Sequence, residues 1–135
     1  RSQGGIWPPH CVAGTRGAEF HPDLRTDRFR DVISKATTPT AEAYSGFQGT
    51  DLAARLHRAG IQRVFLAGLA TDYCVKATAL DARRAGLEVV LLSDAIRGVE
   101  VRPGDCAAAV AEMQAAGVHV APSRDVDGGR VHQSR

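Results

Sequence analysis

Helical patterns and short apolar runs alternate along residues 50–121, and this alternation limits the possible folds more than any other feature of the sequence. Helical patterns over residues 50–59, 74–85 and 103–116 each end at a glycine, and each is followed by an apolar run, at residues 64–67, 88–92 and 118–121. The run at residues 88–92 does not alternate with polar residues, which is typical of a buried parallel strand. The order predicts an α/β fold with a parallel sheet and right-handed crossovers.

The remaining segments are less regular. Glycine and proline punctuate residues 1–25 so densely that we expect a loop there. Residues 31–34 can form a short strand, which would place Lys35 at its C-terminal end, and residues 44–49 (YSGFQG) form an aromatic loop. We expect one domain over residues 1–123 and a disordered tail over residues 124–135, because the tail has little to bury.

Charge and cysteine content exclude several classes of protein. The formal net charge of +2 is too small to indicate a nucleic-acid or membrane partner. The three cysteines, Cys11, Cys74 and Cys106, form an odd and widely spaced set, which favours neither a disulfide framework nor a zinc knuckle. A reducing cytoplasm therefore fits best. No apolar run approaches the roughly 18 residues of a membrane span.

Cys74 is the cysteine whose position best suits catalysis. It follows an apolar strand, a turn at Gly68 and a pair of helix-capping candidates, Thr71 and Asp72, so it falls in the first turn of a helix. A thiol there meets the partial positive charge of unpaired backbone N–H groups, which favours the nucleophilic thiolate. The alternative is a buried cysteine that acts as a small apolar side chain.

Two further residues have both a functional and a structural interpretation. His10 lies between Pro9 and Cys11, where a stiff backbone would fix the direction of the imidazole, so it is either a metal ligand or a hydrogen-bonded loop residue. Lys35 ends a predicted strand, and the sites of open α/β sheets lie at such ends. It could stabilise a thiolate or a substrate by charge, or it could be a solvated surface lysine.

Four segments together resemble a known family. WPPHCVAGTRGAEFHPDL, ISK, AYSGF and GLATDYCVKATALDARRAG, in this order and spacing, are similar to the nicotinamidases and pyrazinamidases, which are isochorismatase-like cysteine hydrolases. The resemblance extends from Trp7 to about Ser123. It implies a three-layer α/β/α fold, similar to a Rossmann fold, with a six-stranded parallel sheet. It also implies the hydrolysis of nicotinamide to nicotinate and ammonia in NAD salvage.

The resemblance assigns roles to individual residues. Cys74 matches the nucleophile and Lys35 the catalytic lysine, while the backbone N–H groups of Ala70 and Cys74 match the oxyanion hole. The peptide bond between Leu69 and Ala70 is implied to be cis. The remaining matches are His10, which corresponds to the last ligand of a divalent metal ion (zinc, manganese or iron), and three residues around the pyridine pocket: Trp7, Tyr44 and Tyr73, the last replacing the histidine of several relatives. We expect the Cys74 sulfur and the Lys35 amine to lie on the same side of the sheet, within a few ångströms of each other, and Trp7 and His10 to border the same cavity.

The chain departs from this family pattern at its beginning. The family's first strand carries a catalytic aspartate, and an aspartate-x-histidine pair that binds the metal follows it; neither motif lies in this sequence. We therefore expect the first two strands to be missing and the 135-residue chain to be inactive by itself. In the implied strand order, 3-2-1-4-5-6, these two strands lie between residues 31–34 and residues 64–67. Their absence predicts a gap there, exposed strand edges and insoluble or partly unfolded material.

Two other functions remain open at this stage. Another amidohydrolase of the same superfamily, acting on a ureidoacrylate or a carbamoyl amine, would share the cysteine but lack the histidine and tryptophan of the WPPHC segment. A non-catalytic remnant of the fold would show Cys74 no more reactive than Cys106.

Overall fold

The computed structural model describes residues 7–37, 43–128 and 130–131. The principal elements are helices and strands in alternation: α1 (Leu52–Arg58), β1 (Arg63–Leu69), α2 (Lys76–Arg84), β2 (Glu88–Arg97), α3 (Asp105–Ala115) and β3 (His119–Ala121). A π-helical turn at Thr71–Val75 joins β1 to α2. The expected α/β alternation is confirmed, and both β1 and β2 continue several residues beyond the apolar runs that predicted them.

The three strands form one parallel sheet in the order β1-β2-β3. β1 and β2 pair regularly from Arg63 with Glu88 to Leu66 with Leu91, after which the register shifts and Gly68 pairs with Ile96. A bulge of this kind bends the strands and turns the next segment in a new direction. The turn that carries Cys74 follows directly.

β2 is the central strand of the sheet, and both of its faces are covered. Val89, Val90 and Leu91 are all buried although successive side chains of a strand point to opposite faces. Helices α2 and α3 contribute small or flexible side chains to the same core, among them Ala79, Ala82 and Met113. Because alanine side chains are small, α2 packs closely against β2.

The strand expected at residues 31–34 is not formed. These residues have no strand assignment, and within the described ranges the partner of β1 is β2. A cavity of about 210 Å³ separates Ile33 and Lys35 from Leu66, Ala67 and Leu69 of β1. Backbone groups form a ladder only when a neighbouring strand is within hydrogen-bonding distance, and here none is. The predicted gap beside β1 is therefore confirmed, while the strand assignment of residues 31–34 was wrong.

The beginning of the tail has local structure. Ser123–Asp125 is a single 3₁₀ turn, and Val126–Asp127 pairs antiparallel with Arg130–Val131. The carboxylate of Asp94 accepts hydrogen bonds from the backbone N–H and the hydroxyl of Ser123, each at 2.7 Å. Disorder was expected after residue 123, but the beginning of the tail is ordered because a β2 side chain, that of Asp94, anchors the turn. The domain boundary itself stays a prediction.

Among the described residues, no helix is both long enough and apolar enough to cross a membrane.

Candidate active site

The thiol of Cys74 lies at a small cavity beside β1. The cavity of about 210 Å³ is lined by side chains from three regions, namely Ile33 and Lys35, the end of β1, and the inner face of the turn and α2 with Val75 and Thr78. The Cys74 residue is half-buried. The cavity lies at the C-terminal end of β1, where open α/β sheets place their sites.

The backbone around Cys74 differs in detail from the simple helix start that the sequence suggests. The peptide bond between Leu69 and Ala70 is cis, as the resemblance implied. The carbonyl oxygen of Ala70 accepts hydrogen bonds from the N–H groups of Tyr73 and Val75, both at 3.0 Å. The turn Thr71–Val75 has the wider π-helical winding, and such turns are frequent at functional sites.

Lys35 and Cys74 are brought together. The Nζ atom of Lys35 lies 3.5 Å from the Sγ atom of Cys74 and donates a second hydrogen bond to the carbonyl oxygen of Ala43, at 2.8 Å. An ammonium at this distance can stabilise negative charge that develops on the sulfur. The prediction that these two groups lie on the same side of the sheet, within a few ångströms of each other, is confirmed.

The three predicted pocket aromatics form one cluster next to Cys74. The ring of Tyr73 contacts Trp7 edge-on, with centroids 5.0 Å apart, and Tyr44 at 5.7 Å. The indole N–H of Trp7 donates to the hydroxyl of Tyr44 at 3.1 Å. Trp7 was expected to border the same cavity as Cys74, but it does not line that cavity. It reaches the site through Tyr73, the chain neighbour of the thiol.

The expectation that His10 also borders the cavity is wrong. His10 is exposed, and its Nδ1 atom lies 2.8 Å from the carbonyl oxygen of Pro8, two residues earlier. That contact holds the ring locally. A catalytic metal ion needs about three protein ligands, and the described residues contain no group of three histidine, cysteine, aspartate or glutamate side chains that could supply them. By themselves, these residues do not fit a metal site.

Asp72 is a buried carboxylate whose contacts the sequence did not reveal. It was interpreted as a possible helix cap, but the N-cap position is Ala70 and no side chain caps the turn. Instead, Asp72 accepts hydrogen bonds from the backbone N–H groups of Val99 and Glu100, at 3.0 and 2.9 Å. Burial alone would raise the pKa of Asp72, but these N–H donors outweigh it and hold the pKa below its usual range. The sequence signal that remains is an acidic residue two positions before the thiol.

The other described cysteines differ from Cys74 in their surroundings. Cys11 is exposed. The thiol of Cys106 donates to the carboxylate of Glu100, and this hydrogen bond, with burial and the charge of Asp72, raises the pKa of Cys106 to about 11. A thiol held in its protonated form is a poor nucleophile at neutral pH. Cys74, which faces an ammonium, has the opposite surroundings.

Comparison with known proteins identifies relatives along most of the chain. The chain is 42% identical to the nicotinamidase of Escherichia coli over 118 residues and 43% identical to the nicotinamidase/pyrazinamidase of Mycobacterium tuberculosis over 119 residues. These alignments cover 83% and 84% of this chain, but only 55% and 62% of the two relatives. The chain thus spans somewhat more than half the length of these curated relatives.

Solved structures share the fold. A pyrazinamidase of Pyrococcus horikoshii in complex with zinc is 51% identical, with a TM-score of 0.81 over 90% of this chain and 65% of that one. A protein from L. infantum in complex with nicotinate is 44% identical, with a TM-score of 0.84 over 91% of this chain and 64% of that one. The isochorismatase domain model matches residues 2–128. On this match and these similarities to nicotinamidases and pyrazinamidases, the chain belongs to the isochorismatase family.

Proposed function

We propose that this chain carries the nucleophile-bearing part of a nicotinamidase, which hydrolyses nicotinamide to nicotinate and ammonia in NAD salvage. The single observation that carries the proposal is the 3.5 Å approach of Lys35 Nζ to Cys74 Sγ at a cavity. The relatives named nicotinamidase and the neighbour that binds nicotinate support the choice of substrate. A cytoplasmic location would follow from this metabolic role.

In the proposed reaction, the Cys74 thiolate attacks the carboxamide carbon of nicotinamide. The C–S bond forms as the carbonyl becomes an oxyanion, which the backbone N–H groups of Ala70 and Cys74 stabilise. The C–N bond then breaks, and ammonia leaves once its nitrogen has been protonated. Water attacks the resulting thioester, releases nicotinate and restores the thiol.

Lys35 has an electrostatic role in this scheme. Its ammonium stabilises the thiolate before the attack, while the hydrogen bond to the carbonyl oxygen of Ala43 holds it in place. The described residues that line the cavity include no carboxylate, so they hold no general acid for the departing nitrogen. We assign that role to an aspartate that the family resemblance implies and this sequence does not contain.

The aromatic cluster of Trp7, Tyr44 and Tyr73 is the proposed pyridine-binding surface. A flat heteroaromatic ring is bound well by edge-on and offset contacts with such side chains. Trp7 Nε1 donates a hydrogen bond to the hydroxyl of Tyr44, and this bond fixes both rings relative to Tyr73. His10 would contribute one ligand to a divalent metal ion, whose other ligands this sequence does not contain.

A second amidase activity is represented among the relatives. A maleamate amidohydrolase of Pseudomonas putida is 29% identical over 99 residues. Maleamate is aliphatic and anionic, so the aromatic cluster favours the pyridine substrate over it. The two substrates therefore make a direct comparison in one assay.

The experiment extends the chain before Arg1 with the segment of the E. coli nicotinamidase that supplies the expected aspartate, and measures ammonia release from nicotinamide, pyrazinamide and maleamate. Nicotinamide turnover that Cys74→Ala reduces by about a thousandfold or more, and that Cys106→Ala leaves within about threefold, supports the proposal. Equal loss in both variants contradicts the assignment of the nucleophile. Turnover of maleamate alone contradicts the substrate.

A further inference from the structure

The buried carboxylate of Asp72 lies in the same turn as Cys74 but does not line the cavity that holds Lys35. The Asp72 residue is only 8% exposed, and a buried charge is tolerated only when hydrogen bonds replace its hydration. Oδ1 accepts from the N–H of Val99 and Oδ2 from the N–H of Glu100. Both oxygens are therefore engaged by the connection between β2 and α3.

That connection is itself fixed to α3. The Glu100 backbone has a φ of +56°, which is unusual for a residue with a side chain, and its carboxylate accepts hydrogen bonds from the N–H groups of Gly104 and Cys106 at the start of α3. Farther along, Lys76 of α2 pairs with Glu112 of α3 at 3.0 Å. The Cys74 turn is thus tied to α3 on one side, while Lys35 approaches from the cavity on the other.

The connection passes close to the carboxylate at Gly98. A Cβ atom added at Gly98 would overlap Cys106 Sγ and lie 3.0 Å from Asp72 Oδ1. A glycine, which has no side chain, is therefore what allows the connection to approach Asp72 this closely.

We propose that Asp72 is a positioning residue for Cys74: by holding the 99–100 connection with both oxygens, it fixes the turn so that Sγ stays within reach of the Lys35 ammonium. This inference rests on the proposed role of Cys74 as the nucleophile. It assigns no contact with substrate to Asp72, which acts only through the geometry of the turn.

When Asp72 is replaced, the direction in which the reactivity of Cys74 changes distinguishes a positioning role from a direct electrostatic effect. Loss of the negative charge of Asp72 would by itself favour the Cys74 thiolate, because a like charge is removed. Loosening of the turn would disfavour the thiolate, because Sγ moves away from Lys35. Among the described residues lining the cavity, the titratable side chains are Lys35 and Cys74. Asp72 and Tyr73 are the titratable neighbours of Cys74 on the turn, and Lys76 is the first residue of α2.

The experiment measures carbamidomethylation of each cysteine by iodoacetamide at pH 6–10, with quantification by peptide mass spectrometry, in the full chain carried on a cysteine-free solubility fusion. In Asp72→Asn, an amide N–H group replaces one carboxylate oxygen and cannot accept from a backbone N–H. One of the two hydrogen bonds to residues 99 and 100 is therefore lost. Asp94→Asn is the matched control, because Asp94 also accepts two hydrogen bonds, both from Ser123, and does not line the Cys74 cavity. Exposed Cys11 is the internal reference.

We expect Asp72→Asn to lower the ratio of the Cys74 rate to the Cys11 rate at pH 7 by about threefold or more, which corresponds to about half a pH unit in the profile. Asp94→Asn should leave this ratio unchanged. In a Lys35→Met background, Asp72→Asn should have no further effect, since the two then act through one contact.

An unchanged or increased ratio of the Cys74 rate to the Cys11 rate in Asp72→Asn overturns the inference. So does a decrease of this ratio by Asp72→Asn that is as large in the Lys35→Met background as in the wild-type chain. Either outcome leaves the proposed function standing. A wild-type Cys74 no faster than Cys106 removes the proposed nucleophile and this inference with it. If Asp72→Asn loses its far-UV circular dichroism signal, Asp72→Glu is decisive: it keeps the charge but displaces the carboxylate. A folded Asp72→Glu protein with the wild-type ratio overturns the inference.

Discussion

Lys35 and Cys74 are 39 positions apart in the chain, yet the ammonium of one lies 3.5 Å from the thiol of the other. The contact crosses the edge of a cavity, and no strand pairing joins the two segments. It depends on the hydrogen bond from Lys35 to the carbonyl oxygen of Ala43 and on the anchoring of the adjacent loop, where the N–H of Gly46 donates to the Thr78 hydroxyl at 3.0 Å.

Replacement of Lys35 tests this contact. Lys35→Met keeps the length of the side chain but removes the charge, so the Cys74 thiolate loses its electrostatic partner. The rate of Cys74 alkylation at pH 7 should fall about fivefold or more. Arg84→Met is the control, since it also removes one positive charge, but Arg84 pairs with Asp81 within α2, at 2.8 Å. Equal effects of the two substitutions would mean that general charge, and not the contact, controls the thiol.

Cys106 should remain unreactive up to strongly alkaline pH. The hydrogen bond to Glu100 raises its pKa to about 11, so between pH 7 and 9 it remains a thiol while exposed Cys11 reacts. Glu100→Gln should move the alkylation profile of Cys106 toward lower pH. A Cys106 profile that coincides with that of Cys11 in the wild-type chain would contradict the hydrogen bond.

The same thiol predicts a change of stability with pH. The pKa of Cys106 is raised on folding from an ordinary value of about 9 to about 11, so its contribution to stability is fully present below pH 9 and is lost as the pH rises through 11. In the chain extended before Arg1 as described above, the thermal midpoint should decrease over this interval, and it should decrease less when Cys106 is replaced by alanine. Parallel curves for the two proteins would refute the linkage.

Gly98→Ala should destabilise the fold. The added methyl group would overlap Cys106 Sγ and crowd Asp72 Oδ1, and overpacking of this kind costs about 1–3 kcal/mol of unfolding free energy. Gly17→Ala is the matched control, because its methyl group would meet only the Thr15 hydroxyl oxygen, at 3.7 Å. Chemical denaturation of both variants in the chain extended before Arg1 measures the difference. A stability loss as large in Gly17→Ala would remove the steric explanation.

The open edge of β1 should limit the solubility of the isolated chain. Leu69, at the end of β1, is 73% exposed and Val32, across the cavity, is 61% exposed, and unpaired strand edges with apolar side chains promote aggregation. We expect the chain without a fusion partner to be insoluble or partly unfolded after expression, and the extended chain to be soluble. A soluble monomer of the 135-residue chain with a cooperative thermal transition would contradict this expectation.

Local pattern predicted the helices and strands but not how far each one continues. The apolar run at residues 88–92 indicated a buried strand, yet β2 continues through Ser93 and Asp94 to Arg97, because pairing with β1 resumes after the bulge. Conversely, Val32 and Ile33 have the composition of a strand but form none, since a strand needs a neighbour at ladder distance. Tertiary context decided both cases.

Chain position alone indicated Cys74, and the rest of the candidate site was predictable only where the family resemblance reached it. Chain position alone made Lys35 an ordinary lysine, and the resemblance placed it beside Cys74. Asp72 escaped prediction because its partners are backbone N–H groups at residues 99 and 100, which no side-chain pattern marks. The separation of His10 from the cavity also has no sequence signal, since it depends on how a glycine- and proline-rich loop is anchored.

The register shift in the sheet gives the family a place where chain length can vary during evolution. Between the pairs Leu66–Leu91 and Gly68–Ile96, β2 uses more residues than β1, so an insertion or deletion there would leave the ladder below it unchanged. The effect would be on the residues that follow the bulge. A deletion of one residue would move the backbone N–H groups of residues 99 and 100 out of position for Asp72, so the protein would stay folded while the Cys74 thiol was no longer held in place. We therefore expect homologues that vary in length at this bulge to vary also at position 72.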